Sequence, residues 1–131
     1  MQTSKRTLEV LPERFGICRF GPNVSIPDWA LTSHFYSITQ TQEEVSIVCH
    51  EGVIPQEILY EKGWRGLKVQ GPIDFSETGI LSALAQPLAR ENVSIFALST
   101  YDTDYLFVRE KDLSKTIETL SQEGFLVKHN F

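Results

Sequence analysis

Ile95-Phe96-Ala97-Leu98-Ser99-Thr100-Tyr101-Asp102-Thr103-Asp104-Tyr105-Leu106-Phe107-Val108 reads as a strand, an acidic polar turn and a second strand. Apolar, β-branched and aromatic residues dominate both arms, and Ser, Thr and Asp supply turn chemistry between them. The earlier stretch Phe35–Val48, FYSITQTQEEVSIV, aligns with it at an offset of 60. Apolar then falls on apolar at the first, second, fourth, eleventh, thirteenth and fourteenth places, with polar and acidic residues between. The chain therefore carries an internal repeat of a hairpin.

Two further matches extend the repeat. Gly16-Ile17-Cys18-Arg19-Phe20-Gly21-Pro22 aligns with Gly66-Leu67-Lys68-Val69-Gln70-Gly71-Pro72 at an offset of 50, both as short strands ending in Gly-Pro. Glu61-Lys62-Gly63-Trp64 aligns with Gln122-Glu123-Gly124-Phe125 at 61, which reads as a helix C-cap entering a strand. The jump from 50 to 60 leaves about ten fewer residues before the first hairpin, so the first helix of the first copy is shortened, to about Pro27–Leu31.

The second copy reads as strand Leu67–Gln70, helix Glu77–Glu91, strand Val93–Ser99, strand Tyr105–Arg109, helix Asp112–Glu123 and strand Phe125–Lys128. Ile80, Leu81, Leu84 and Leu88 form one apolar helical stripe. The order βαββαβ predicts an α+β fold of two ferredoxin-like units packed side by side, antiparallel sheets with helices on one face. The repeats are expected over 7–65 and 66–131. Trp64–Gln70 is claimed by both, as the last strand of one or the first of the other. Pro87 falls inside the first helix, where it removes a backbone bond and should kink it near Ala83.

With 131 residues, 41% apolar and 22% charged, the composition is that of a globular domain. A net charge of −5, with no basic cluster beyond Lys5-Arg6, argues against nucleic acid. No run of about 18 apolar residues suggests a membrane span. The N-terminal residues have positive charge without an apolar signal stretch, so a cytoplasmic location is expected. Cys18 and Cys49 sit in apolar, β-branched runs and are expected to be buried, reduced and inert. They lack metal-ligand spacing, and no cofactor or metal is expected.

Gly71-Pro72-Ile73-Asp74-Phe75-Ser76-Glu77-Thr78-Gly79-Ile80-Leu81, then Leu88, then Val93–Thr100, together resemble the ACT family, as in the regulatory domains of aspartate kinases. The string Ser99–Tyr105, STYDTDY, is similar to the tandem-ACT subgroup that includes cytosolic arginine sensors and small free-standing bacterial proteins. The resemblance covers Gly66–Lys128 most specifically. It implies a non-catalytic, amino-acid-binding regulatory or sensor module, with the ligand held at the loop before the first helix and facing a second ACT unit. A basic or generally α-amino ligand is implied, because Glu77 and Asp104 fall where those relatives carry acids.

The residues suit that role. Ser76 can cap a helix, and the N–H groups of Thr78, Gly79 and Ile80 can then meet a carboxylate. Gly79 either admits a ligand close to the backbone or avoids a clash with a neighbouring strand. Asp74, Glu77, Asp102 and Asp104 offer negative charge to an ammonium or guanidinium. Residue by residue, a first-turn helix acid at Glu77 and turn chemistry at Asp102-Thr103-Asp104 are the better explanations; the cluster carries the case for a ligand. Thr100 and Tyr101 complete the expected set. The loop Gly21-Pro22-Asn23 or the strand near Ile38–Gln40 is expected to close the pocket.

Catalysis by the acids would need a nucleophile or activated water, and His34, His50 and His129 form no motif with Ser or Cys. The expected partners are a small-molecule ligand, an amino acid that can be basic, and another protein or a second copy. The alternative is an interaction module of the same fold with no small-molecule ligand.

Overall fold

The computed structural model describes residues 6–74 and 76–129; Phe75 of the quoted loop lies outside the described residues. The fold is α+β. In chain order it comprises β1 (Thr7–Phe20), a 3-10 helix (Asp28–Thr32), β2 (Tyr36–Gln40), β3 (Val45–His50), a second 3-10 helix (Glu51–Val53) and β4 (Glu61–Val69). Then follow α1 (Ile80–Arg90), β5 (Ile95–Ser99), β6 (Asp104–Arg109), a third 3-10 helix (Glu110–Asp112), α2 (Leu113–Gln122) and β7 (Leu126–Lys128). Among the described residues no helix is long and apolar enough to cross a membrane.

The chain packs into two compact units, one of Met1–Pro12 with Arg65–Phe131, the other of Glu13–Trp64. These packing units differ from the repeats in chain order, because β1 and β4 each contribute residues to both.

In the smaller unit, β1 pairs antiparallel with β3 from Phe15↔His50 to Phe20↔Val45, and β3 pairs with β2. Cys18, Ala30, Val45, Ile47, Cys49 and Ile54 form its buried core. The shortened first helix is a single 3-10 stretch, Asp28–Thr32. Gly63 departs from the expected helix cap. It lies inside β4 with φ +74°, and its N–H donates to Glu51 Oε2 at 2.6 Å. Gly124 does cap α2, with φ +100°. Its N–H donates to Ser121 O and that of Phe125 to Leu120 O, the paired bonds of a left-handed helix end. The match between the two glycines reflects a shared left-handed backbone in different settings.

The hairpins correct the repeat offset. Tyr36 pairs with Cys49 as Ile95 pairs with Val108, and Gln40 with Val45 as Ser99 with Asp104, so the offset is 59. It superimposes Thr41 on Thr100 and carries the 3-10 helix at Glu51 onto that at Glu110. In both turns the threonine N–H donates across the turn, to Glu44 O at 2.9 Å and to Thr103 O at 2.8 Å.

In the larger unit the strand order is β7-β1-β4-β6-β5, with β7 parallel to β1 from Thr7↔Leu126 to Glu9↔Lys128. Its core holds Leu8, Val10, Leu67, Val69, Leu84, Leu88, Leu106, Val108 and Leu120. Each such side chain contributes about 1.5–3 kcal/mol by leaving water. The helix α1 runs through Pro87, which is itself buried, and ends in a left-handed Asn92 with φ +60°. It starts three residues later than expected.

Candidate functional site

The turn between β5 and β6 is fixed by its own threonines. Besides the main-chain bond, Thr103 N–H donates to Thr100 Oγ1 at 3.3 Å, and Thr100 Oγ1 donates to Thr103 O at 3.2 Å. Thr103 is buried, and its hydroxyl donates to the carbonyl of Val69 at the end of β4. The Ile73 N–H donates to Asp102 O at 2.6 Å, joining the turn to the loop that leaves β4. Gly71 keeps this approach open, since a Cβ would stand 3.0 Å from Asp102 O, a tight contact.

The loop folds back on itself at Asp74. Asp74 Oδ1 accepts the Ser76 N–H and hydroxyl, each at 2.9 Å. Glu77 N–H donates to Asp74 O at 2.9 Å, and Asp74 N–H returns a bond to Glu77 Oε1 at 3.2 Å. This reciprocal pairing three residues apart is capping-box chemistry closing a single turn. Glu77 Oε2 accepts the guanidinium of Arg6. The Arg6 bond, then the Asp74 N–H, hold the Glu77 carboxyl below the usual glutamate range. The Ser76 N–H and then its hydroxyl lower that of Asp74.

Ser76 is not the helix cap. Gly79 stands there with φ +80° and ψ −1°, and the first helical bond runs from Ala83 N–H to Gly79 O at 2.9 Å. The amides at the helix start are those of Ile80, Leu81 and Ser82, two residues beyond the expected set Thr78, Gly79 and Ile80. A Cβ on Gly79 would meet nothing within 4 Å, so its glycine answers to the left-handed backbone and not to a crowded strand.

A cavity of about 310 Å³ lies between this helix start and the β5–β6 turn. Of the expected residues, Asp74, Glu77, Gly79, Ile80, Thr100, Tyr101 and Asp104 line it. Ser76 and Thr78 are exposed and do not. Asp102 lines an adjoining cavity of about 480 Å³ with Lys68, Gln70 and Tyr105. The lining also includes Ile73, Leu81, Ser99 and Thr103. Ser99 and Thr103 both lie in the string Ser99–Tyr105 that carried the resemblance, but neither was among the expected ligand contacts. Asp104 accepts the Ser99 hydroxyl at 2.6 Å.

Outside this site, the ring centroids of His34 and His50 lie 6.5 Å apart, and His50 Nε2 lies 3.9 Å from Glu13 Oε1. Among the described residues no group of three or more His, Cys, Asp or Glu could hold a metal ion. Cys18 and Cys49 are buried free thiols. The hydrogen bond to Cys18, and then burial, push the Cys49 thiol well above its usual range.

Residues 59–122 match the model of the ACT domain, and 13–57 match a model described as an N-terminal domain. The chain belongs to the ACT-domain family. It is 37% identical over 100 residues, 68% of its length, to the "cytosolic arginine sensor for mTORC1 subunit 1" of Bos taurus, and likewise to that of Homo sapiens. It spans about a third of the length of those curated relatives, 30%. A crystal structure of a protein from Agobacterium tumefaciens is 40% identical, with a TM-score of 0.88 over 98% of this chain and 97% of that one. The regulatory subunit of aspartate kinase from Thermus flavus shares the fold, at 9% identity and a TM-score of 0.64 over 92% and 99%.

Proposed function

We propose that this chain is a non-catalytic regulatory module that binds an amino acid in the cavity between the start of α1 and the β5–β6 turn. One observation carries the reading: seven of the ten residues expected to bind a ligand line a single cavity of about 310 Å³. That volume is at the small end of ligand pockets, in keeping with a ligand the size of an amino acid. The α-carboxylate meets the amides at the helix start, where the macrodipole favours an anion. The ammonium meets Asp104. Similarity to proteins named as cytosolic arginine sensors, and in fold to an aspartate kinase regulatory subunit, supports both the ligand class and a cytoplasmic location. In this reading the repeats 7–65 and 66–131 are the duplicated ACT-like copies, and binding is passed to a protein partner or a second copy.

Calorimetric titration against the twenty common amino acids tests it. At least one binds at millimolar concentration or below, and Asp104→Asn weakens that binding by about thirtyfold or more, as for a desolvated charge pair. If none binds, the second reading stands: an interaction module without a small ligand. The 79% exposure of Tyr101 at the cavity rim favours a protein contact there.

A further inference from the structure

The side chain that completes the Glu77 carboxylate comes from the opposite end of the sequence. Arg6 stands immediately before β1 and reaches Glu77 across a separation of 71 residues. It is not carried on a loose end: Thr7 O accepts the Gln70 N–H at 2.9 Å, and Thr7 pairs with Leu126 of β7. Glu77 is also prepositioned, because its Oε1 already accepts the Asp74 N–H. Oε2 is the oxygen left for a cation, and Arg6 takes it.

Three acids line the cavity; Asp74 is engaged by Ser76, and the other two, Asp104 and Glu77, are of unequal standing. Asp104 carries a hydroxyl bond from Ser99, and no cationic side chain pairs with it among the described residues. Glu77 is already paired to a guanidinium. Both partners of that pair are partly exposed, 31% for Arg6 and 36% for Glu77, so the pair can exchange with a solvated competitor. A ligand with one positive group is satisfied at Asp104. A ligand with a second one meets, at Glu77, a carboxylate whose charge Arg6 already offsets and must compete with that guanidinium for it.

We propose that Arg6 is a selectivity residue: its guanidinium occupies the place of a second ligand cation at Glu77 and biases the pocket against amino acids with cationic side chains. The inference rests on the amino-acid-binding reading above and concerns which amino acids the same pocket admits.

The test compares L-arginine and L-lysine with L-leucine and L-alanine by calorimetry on wild type, Arg6→Gln and Arg6→Lys. Arg6→Gln removes the competing charge and should tighten arginine and lysine binding by about two- to fivefold, the range of a partly exposed ion pair. Leucine and alanine should be unchanged, and Arg6→Lys should behave as wild type. The gain should vanish in the double variant Arg6→Gln/Glu77→Gln. In wild type, the side-chain Nε–H resonance of Arg6 should move on saturation with arginine and stay in place with leucine. Equal affinities in wild type and Arg6→Gln overturn the proposal. So does a change common to charged and neutral ligands, or a loss of binding, which would make Arg6 a positioning residue. If no amino acid binds any of the proteins, the binding reading falls and the selectivity proposal falls with it. Binding that ignores Arg6 removes only the latter.

Discussion

Thr103 and Val69 are joined by a buried bond, threonine hydroxyl to main-chain carbonyl, between residues 34 apart in sequence. It fixes the β5–β6 turn against the end of β4, and Thr103 borders both cavities there. Thr103→Val keeps the shape and leaves the Val69 carbonyl without this donor. The expected cost is about 1–3 kcal/mol, read from urea unfolding midpoints at unchanged slope. Thr103→Ser should retain most of the bond.

At Gly79 the backbone and not the space sets the penalty. Its φ is +80°, and a Cβ would meet nothing within 4 Å. Gly79→Ala should cost about 1–2 kcal/mol, and Gly79→Asn distinctly less, because asparagine tolerates the left-handed region. Equal losses for the two would show that something other than the backbone angle is at work. A β-branched residue there is strained in the absence of any ligand, so it cannot isolate the ligand's approach to the backbone.

Gly16 presents the opposite case. A Cβ there would fall 2.5 Å from Ile54 Cδ1 and 2.6 Å from the ring of Tyr60. Gly16→Ala should destabilise the chain by about 1–3 kcal/mol through overpacking. Pairing it with Ile54→Val should recover part of that loss in a double-mutant cycle.

Acid should release the loop of Asp74 and Glu77. Both carboxyls are held below their usual values of 3.8 and 4.5. A carboxylate depressed on folding stabilises the folded state above its unfolded value, and that contribution fades as pH falls through the folded value. The ties at Glu77 are thus complete at neutral pH and are lost below pH 4.5. Carboxyl-carbon NMR titration should show both groups below those values, and Arg6→Gln should return Glu77 toward 4.5.

The thiols give a labelling prediction. Cys18 and Cys49 are fully buried, and the bond between them, with burial, keeps Cys49 protonated. Neither should react with an aromatic disulfide reagent on the timescale of mixing, whereas both should in 8 M urea, a concentration of the order that unfolds small domains. Rapid labelling of both in the native protein would contradict this.

The order of elements in the second copy was legible in the sequence, because alternation, turn residues and helix ends are local signals; the helix read as ending at Gly63 in the first copy is instead strand β4. The hairpin offset was not legible. In Val45–His50 and Asp104–Arg109 the buried residues run consecutively, Ile47–Cys49 and Leu106–Val108. A slip of one residue normally exchanges the two faces of a strand, but an unbroken apolar run hides it. The turn threonines, Thr41 and Thr100, hold the register that hydrophobicity could not. Ser76 misled for a related reason. It has cap chemistry, but the chain closes a separate turn at Asp74–Glu77 and restarts at Gly79. The Arg6–Glu77 pair depends on the strand β1 bringing residue 6 to the site, which no local pattern in the sequence contains.

The larger unit draws Leu8 and Val10 from one end of the chain and everything else from residue 65 onward. Near that junction Arg65 Nη2 donates to Leu11 O at 3.3 Å. Along the chain, residues 13–64 thus interrupt the larger unit, which resumes at residue 65. A recombinant fragment beginning at residue 66 would lack an inner strand of its own sheet, whereas joining residue 12 to residue 65 through a short linker should restore it.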